Sequence, residues 1–225
     1  MDVVEAINSR IACRQFLDRP VAPDVVRALL AGASRAASNS NVQPWHVYAV
    51  TGAPLREIKR RAAEAIEQGD WSTFETEYSD MLERLWEPYL GRKFRFGVQL
   101  YGALGIDREN RAERLEQIKR NFRFFDAPVG LFITIDRRLG PSQWADLGGY
   151  VNVLALLARA HGLDTCPQVL WTRMYKIVGA YLEFPPEQML YCGMGMGYGD
   201  RSHAVNNFRT TRAELDEFCK FYGFD

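Results

Sequence analysis

The stretch Gly193-Met194-Gly195-Met196-Gly197-Tyr198-Gly199-Asp200 decides how the chain is read. Its glycine spacing superficially matches the phosphate loop of a dinucleotide-binding βαβ unit. That unit needs an apolar helix directly after the glycines and an acidic residue further on to hold a ribose. Only about 25 residues follow Asp200, and no apolar helix opens among them. The glycines are read instead as part of a strand, Met189–Met196, whose end passes close to something else.

The neighbouring segments supply the rest of a small sheet. Pro128-Val129-Gly130-Leu131-Phe132-Ile133-Thr134-Ile135 is the strongest strand signal in the chain. Val47–Val50 reads as a further strand and Asp164–Pro167 as a short extended piece. Helical spacing of apolar residues predicts helices over 2–10, 24–35, about 54–68, about 108–123 and about 170–182. Asp2 is the expected N-cap of the first, with Val3, Val4 and Ile7 on one face. Trp144–His161 is almost wholly apolar, interrupted after Asp146 by Asn152 and Arg159. A helix apolar all round is buried on all sides, and a subunit interface is one way to bury its second face. Its Gly148-Gly149 pair would weaken it unless another backbone approaches closely. Helices alternating with few strands give an α+β or α/β class, a small sheet covered by helices. No repeat or linker divides the 225 residues, so one domain is expected.

Composition narrows the function. The chain is 47% hydrophobic and 12% aromatic, enough for a sizeable core and against disorder. Its 28 basic side chains balance 28 acidic ones. Gripping nucleic acid needs a basic excess, so that class is excluded, whereas a small anion held by a few converging arginines is not. No apolar run reaches the roughly 18–20 residues of a membrane helix. Acids stand where a signal peptide would carry bases, and the expected location is cytoplasmic. The four cysteines and three histidines show neither a disulfide framework nor metal-ligand spacing. Cys13, between Arg10 and Arg14, is either a thiol of lowered pKa or a small buried filler.

Several stretches are candidate binding elements. Arg10 and Arg14 are spaced to turn toward one anion, or are two surface arginines. Ser38-Asn39-Ser40-Asn41-Val42-Gln43-Pro44-Trp45 can bond the polar edge of a heterocycle, or is a capped turn. Thr165-Cys166-Pro167-Gln168 approaches as a strand and opens a helix. Pro167 then suits the first turn, with the N–H groups of Gln168 and Val169 free for a ligand. Asn206–Arg212 brings Arg209 and Arg212, which can join the first pair around one phosphate. The segment 70–107 concentrates Trp71, Phe74, Tyr78, Trp86, Tyr89, Phe94, Phe96 and Tyr101, as core or as a wall over a flat ligand. No nucleophile–base arrangement stands out, which fits chemistry carried by a cofactor.

These stretches, together with Asn121–Leu131 and Gly162–Gln168, resemble the FMN-dependent nitroreductase family, in particular its bacterial nitroaromatic-reductase-like branch. The resemblance covers nearly the whole chain in five pieces of the right order and spacing. It implies a nitroreductase-like α/β/α sandwich with a small mixed sheet, an aromatic-rich helical insertion at about 70–107, and an intertwined homodimer with two FMN sites at the subunit interface. Arg10, Ile11, Ala12 and Arg14, with Arg212 and Arg209, would surround the FMN phosphate. Ser38, Asn39 and Ser40 would contact the flavin or ribityl chain from the opposite subunit. Asn121 would reach the pyrimidine edge, and Pro167, Gln168 and Val169 would pass the isoalloxazine. Ala12 stands where similar proteins often carry Ser, which removes one phosphate hydrogen bond worth roughly 1.5–3 kcal/mol. The implied activity is ping-pong electron transfer from NAD(P)H through FMN to a nitroaromatic or quinone. Trp86, Tyr89, Phe94, Phe96, Tyr101 and Phe124 are the expected pocket walls. Dehalogenation or dehydrogenation on the same scaffold, and flavin binding without turnover, are the alternatives.

Overall fold

The computed structural model describes residues 1–69, 74–78 and 84–224. Trp71 lies outside the described residues, as do parts of the 70–107 segment. Four strands form one sheet: β1 (His46–Thr51), β2 (Val129–Asp136), β3 (Asp164–Gln168) and β4 (Gln188–Gly197), in the order β1-β2-β4-β3. Every ladder is antiparallel. Parallel pairing enters as an isolated bridge between Ala12 and Thr165, so the sheet is less mixed than expected.

β2 is buried almost end to end, because helices cover both faces of the sheet. Its Leu131, Ile133 and Ile135 alternate onto one face, against α2 (Pro23–Ala33) and α6 (Pro141–Ala160). Phe132 points to the other, toward α3 (Gly52–Gln68) and α7 (Tyr175–Leu182). The remaining helices are α1 (Val3–Ser9), α4 (Tyr89–Leu104), α5 (Arg111–Lys119) and α8 (Leu215–Phe218). Asp2 caps α1 by accepting the Glu5 N–H at 2.8 Å.

Gly193 of β4 and Gly130 of β2 lie beneath two rings. A Cβ on Gly193 would stand 2.3 Å from Trp171 Cδ1, and one on Gly130 would stand 2.7 Å from Phe124 Cε2. Trp171 and Phe124 stack above them with centroids 4.6 Å apart. Reaching that place takes an unusual turn. Phe124, Phe125 and Asp126 are all left-handed, at φ 54°, 51° and 68°. Such residues cost about 1–2 kcal/mol each. Complete burial of Phe122, Phe124 and Phe125 offsets it.

Three expectations change here. The basic helix over 108–123 stops at Lys119, because this tight turn occupies Arg120–Asp126. Pro167 belongs to β3, opposite Met194, and not to a first helical turn. β3 is an edge strand, where a missing N–H is tolerated. The helix over 170–182 splits into a 3-10 turn, Val169–Met174, that drives Trp171 inward, and α7.

Within one chain α6 is buried on one face only. Leu147, Tyr150, Val151, Leu154, Ala155 and Ala158 are inside, whereas Gly149 and Asn152 are exposed. Among the described residues nothing lies within 4 Å of where a Gly149 Cβ would stand. Among the described residues no helix is long and apolar enough to cross a membrane.

Candidate functional site

Two segments from opposite ends of the chain meet at one cleft. The first is the loop after α1, Arg10–Phe16. It lies alongside β3, the Cys13 N–H donating to the Thr165 carbonyl at 2.9 Å. The second follows β4 and runs to Arg212. Asn206, 4% exposed, joins the two. Its Oδ1 accepts the Arg14 N–H at 2.8 Å, and its Nδ2 donates to the Gln15 and Asp200 carbonyls, both at 2.8 Å.

The cleft measures about 670 Å³. Arg10, Ile11, Ala12, Arg14, Phe96, Arg209 and Arg212 line it, with Asn152 and Leu156 contributed by the exposed side of α6. The structure thus brings together all four arginines expected around one anion. None of the four pairs with a carboxylate among the described residues, although Arg60, Arg120, Arg137, Arg138, Arg159 and Arg201 each do. Arg14 lies 5.2 Å from the Phe96 ring centroid and donates to the Ala12 carbonyl at 3.2 Å. Arg212 donates to Thr210 Oγ1 at 2.7 Å. Arg209 donates to the Arg10 and Ser9 carbonyls at 3.2 and 3.4 Å, which ties it to the end of α1. Uncompensated guanidinium groups at this density suit a phosphate, whose oxygens take parallel N–H donors.

The nearest buried carboxylate does not neutralise them. Asp164 takes Arg159 at 3.0 Å and Arg201 at 2.5 and 2.7 Å. Gly199 makes room for that carboxylate, since a Cβ there would stand 2.5 Å from Asp164 Oδ2. Burial pushes the Cys13 thiol up to about 12, so of its two sequence readings the buried filler holds. Burial raises Cys166 to about 11, with Arg14 and Arg10 pulling it back.

At the far end of β3, buried Gln168 donates through Nε2 to the Asn121 carbonyl at 3.0 Å. Gln168 Oε1 and Thr165 Oγ1 are buried with no hydrogen-bond partner among the described residues. Such atoms cost about 1–3 kcal/mol when left unmatched, so their presence fits a polar ligand nearby.

Other expected residues lie apart from the cleft. Ser38, Asn39 and Ser40 form an exposed or half-exposed turn against α6, the Asn39 N–H donating to Asp146 Oδ2 at 3.0 Å. Pro167, Gln168 and Val169 sit along β3 and its continuation, and Asn121 sits in the Arg120–Asp126 turn beside Gln168, all outside the arginine lining. Trp86, Tyr89 and Phe94 are exposed. Arg108 covers Phe94 at 5.4 Å and Arg114 covers Tyr101 at 4.2 Å. Phe124, expected as a wall, is fully buried because its left-handed backbone turns the ring onto the sheet. Asn206 opens the candidate stretch Asn206–Arg212, where nothing local gives it a role. The polar interruption at Asn152 was the available signal for the α6 wall.

Comparison with known proteins gives one consistent result. The pattern that defines the nitroreductase family matches residues 7–198. The chain is 40% identical over 217 residues to a chloronitrobenzene nitroreductase of Comamonas testosteroni, covering 96% of this chain and 95% of the relative. It is 35% identical over 224 residues to a 4-nitrobenzoate reductase of Pseudomonas putida, covering 100% and 97%. The FMN and NADPH-dependent nitroreductase NfnB from Sphigopyxis sp. strain HMH superimposes with a TM-score of 0.96 at 36% identity over 100% of both chains. The FMN-dependent NfnB from Mycobacterium smegmatis, solved in complex with NADPH, superimposes with a TM-score of 0.91 at 30% identity over 97% of both.

Proposed function

The chain belongs to the nitroreductase family, and from that premise we infer that it is an FMN-dependent reductase of nitroaromatic compounds driven by NAD(P)H. The observation that carries the reading is the convergence of Arg10, Arg14, Arg209 and Arg212 on one cleft without a carboxylate among them. FMN held there would supply the redox chemistry, hydride transfer from the nicotinamide and electron transfer to the nitro group.

The protein's own residues bind and orient. Arg10, Arg14 and Arg212 hold the phosphate, while Arg209, committed to the Ser9 and Arg10 carbonyls, fixes the loop that carries them. The unmatched Gln168 Oε1 supports a flavin contact along Pro167, Gln168 and Val169, with Asn121 holding Gln168 in place. Phe96 is the aromatic wall beside the phosphate.

The functional unit is a homodimer of single-domain chains, each with its insertion at about 70–107, in the cytoplasm. Support comes from what one chain leaves uncovered. Val3, Val4 and Ile7 on α1 are 65%, 61% and 55% exposed, next to the bare Gly149–Asn152 side of α6. A second chain on this face would close the cleft and bring its own Ser38–Ser40 turn to the flavin.

Anaerobic stopped-flow tests the reading. Bound flavin should bleach on mixing with NADPH or NADH and recover on mixing with nitrobenzene. Failure of either half-reaction would overturn it.

A further inference from the structure

A second cleft, of about 470 Å³, opens beside the first. The two share Phe96, Thr210 and Arg212. One wall is α4, where Arg92, Arg95, Phe96 and Gln99 fall on adjacent turns. The other comes from the segment ending in α8, with Glu217 and Phe218.

Three guanidinium groups, Arg92, Arg95 and Arg212, here face a single carboxylate. Glu217 is matched by Arg92 at 3.1 Å. Arg95 has no hydrogen bond or ion pair with a described residue, and it is exposed. Phe218 is 70% exposed at the rim and Phe96 is half-buried further in. Spare positive charge between two flat rings fits a phosphorylated nucleoside, the phosphate on the fork and the base on a ring. The first cleft already commits Arg10, Arg14 and Arg212 to the one phosphate that FMN carries, which leaves Arg92 and Arg95 against Glu217 alone in the second. The second excess therefore serves another anion. NADPH brings one that NADH lacks, the 2′-phosphate of its adenosine ribose.

We propose that the Arg92–Arg95 face of α4 binds the adenosine 2′-phosphate of NADPH and sets a preference for NADPH over NADH. The proposal rests on the reading of the chain as an NAD(P)H-driven flavin reductase.

Two measurements on the FMN-loaded protein test it. Calorimetry compares adenosine 2′,5′-bisphosphate with 5′-AMP, and steady-state kinetics compares NADPH with NADH, nitrobenzene being the acceptor. The wild type should bind the bisphosphate about tenfold tighter or more, the effect of one charge-assisted hydrogen bond. Arg95→Ala should abolish that difference and lower kcat/KM for NADPH about tenfold, through KM, with NADH unchanged. Arg95→Lys should restore part of it. Equal binding of the two nucleotides by the wild type would overturn the proposal. So would an equal fall for both donors in Arg95→Ala. A loss confined to 4-nitrobenzoate, with the NADPH to NADH ratio intact, would also overturn it and assign the cleft to a carboxylate on the acceptor. Nucleotide discrimination by a wild type that neither donor reduces would support the site and overturn the reductase reading instead.

Discussion

Asn206 holds the Arg14 N–H at 2.8 Å across 192 positions of sequence. The same amide donates to Gln15 and Asp200, so it fixes the first arginine loop to the segment bearing the other two. Asn206→Ala would leave the Arg14 N–H and the Asp200 carbonyl unmatched at roughly 1–3 kcal/mol each, less where water enters, while the Gln15 carbonyl keeps the Asp200 N–H. FMN affinity should fall at least about tenfold, with riboflavin, which lacks the phosphate, little affected. Asn206→Asp keeps the acceptor for Arg14 and should recover part of the loss. Fluorescence titration of both flavins checks this, and unchanged FMN binding in Asn206→Ala would remove the residue from the phosphate cradle.

Arg10→Ala combined with Arg212→Ala should give a folded protein without yellow colour. Each substitution removes charge-assisted hydrogen bonds worth about 1.5–3 kcal/mol. The check is flavin absorbance per chain beside far-UV circular dichroism. Normal flavin content would contradict the phosphate assignment.

Gly193→Ala would force a Cβ to within 2.3 Å of Trp171 Cδ1. Overpacking of this kind costs about 1–3 kcal/mol or more. Tm should fall by roughly 2–4 °C for each kcal/mol in a chain of this length. Calorimetry reads the shift, and tryptophan fluorescence reads the displaced ring.

Gly149 has open space around it in one chain. Gly149→Leu should therefore be tolerated by the fold and refused by a partner helix. Size-exclusion chromatography should show a monomer with weakened flavin binding. A yellow dimer from this variant would place the interface elsewhere.

The buried thiols give a pH dependence. Burial raises Cys13 and Cys192 from about 9 to about 12, and Cys166 to about 11. In the unfolded chain they lose protons first. Their contribution to stability is thus complete below about pH 9 and lost as pH rises toward the folded values. Urea midpoints should fall between pH 8 and pH 10. At pH 8 the native protein should release one equivalent from a disulfide thiol reagent, from half-exposed Cys219.

Much of this was legible in sequence. β2 and β4 announce themselves because apolar residues run continuously where helices cover both faces, and Asp2 marks the start of α1 through a local hydrogen bond. The arginines could be paired because phosphate chemistry demands them, whatever their separation. Phe124 could not be placed, since its direction depends on three left-handed residues that no local pattern signals. Pro167 was misplaced because a proline suits a first helical turn and an edge strand alike. Asn206 carries no local signal of its role, its partners being set by a fold that brings positions 14 and 206 together.

The cleft arginines also change what the rest of the molecule presents to its surroundings. Without those four, the chain would carry four more acids than bases. An approaching anion then meets a net negative remainder of the chain and is drawn in on the side where the two adjoining clefts open. Loading with FMN becomes a guided encounter, fast in dilute buffer and slowed by salt, before any contact is made.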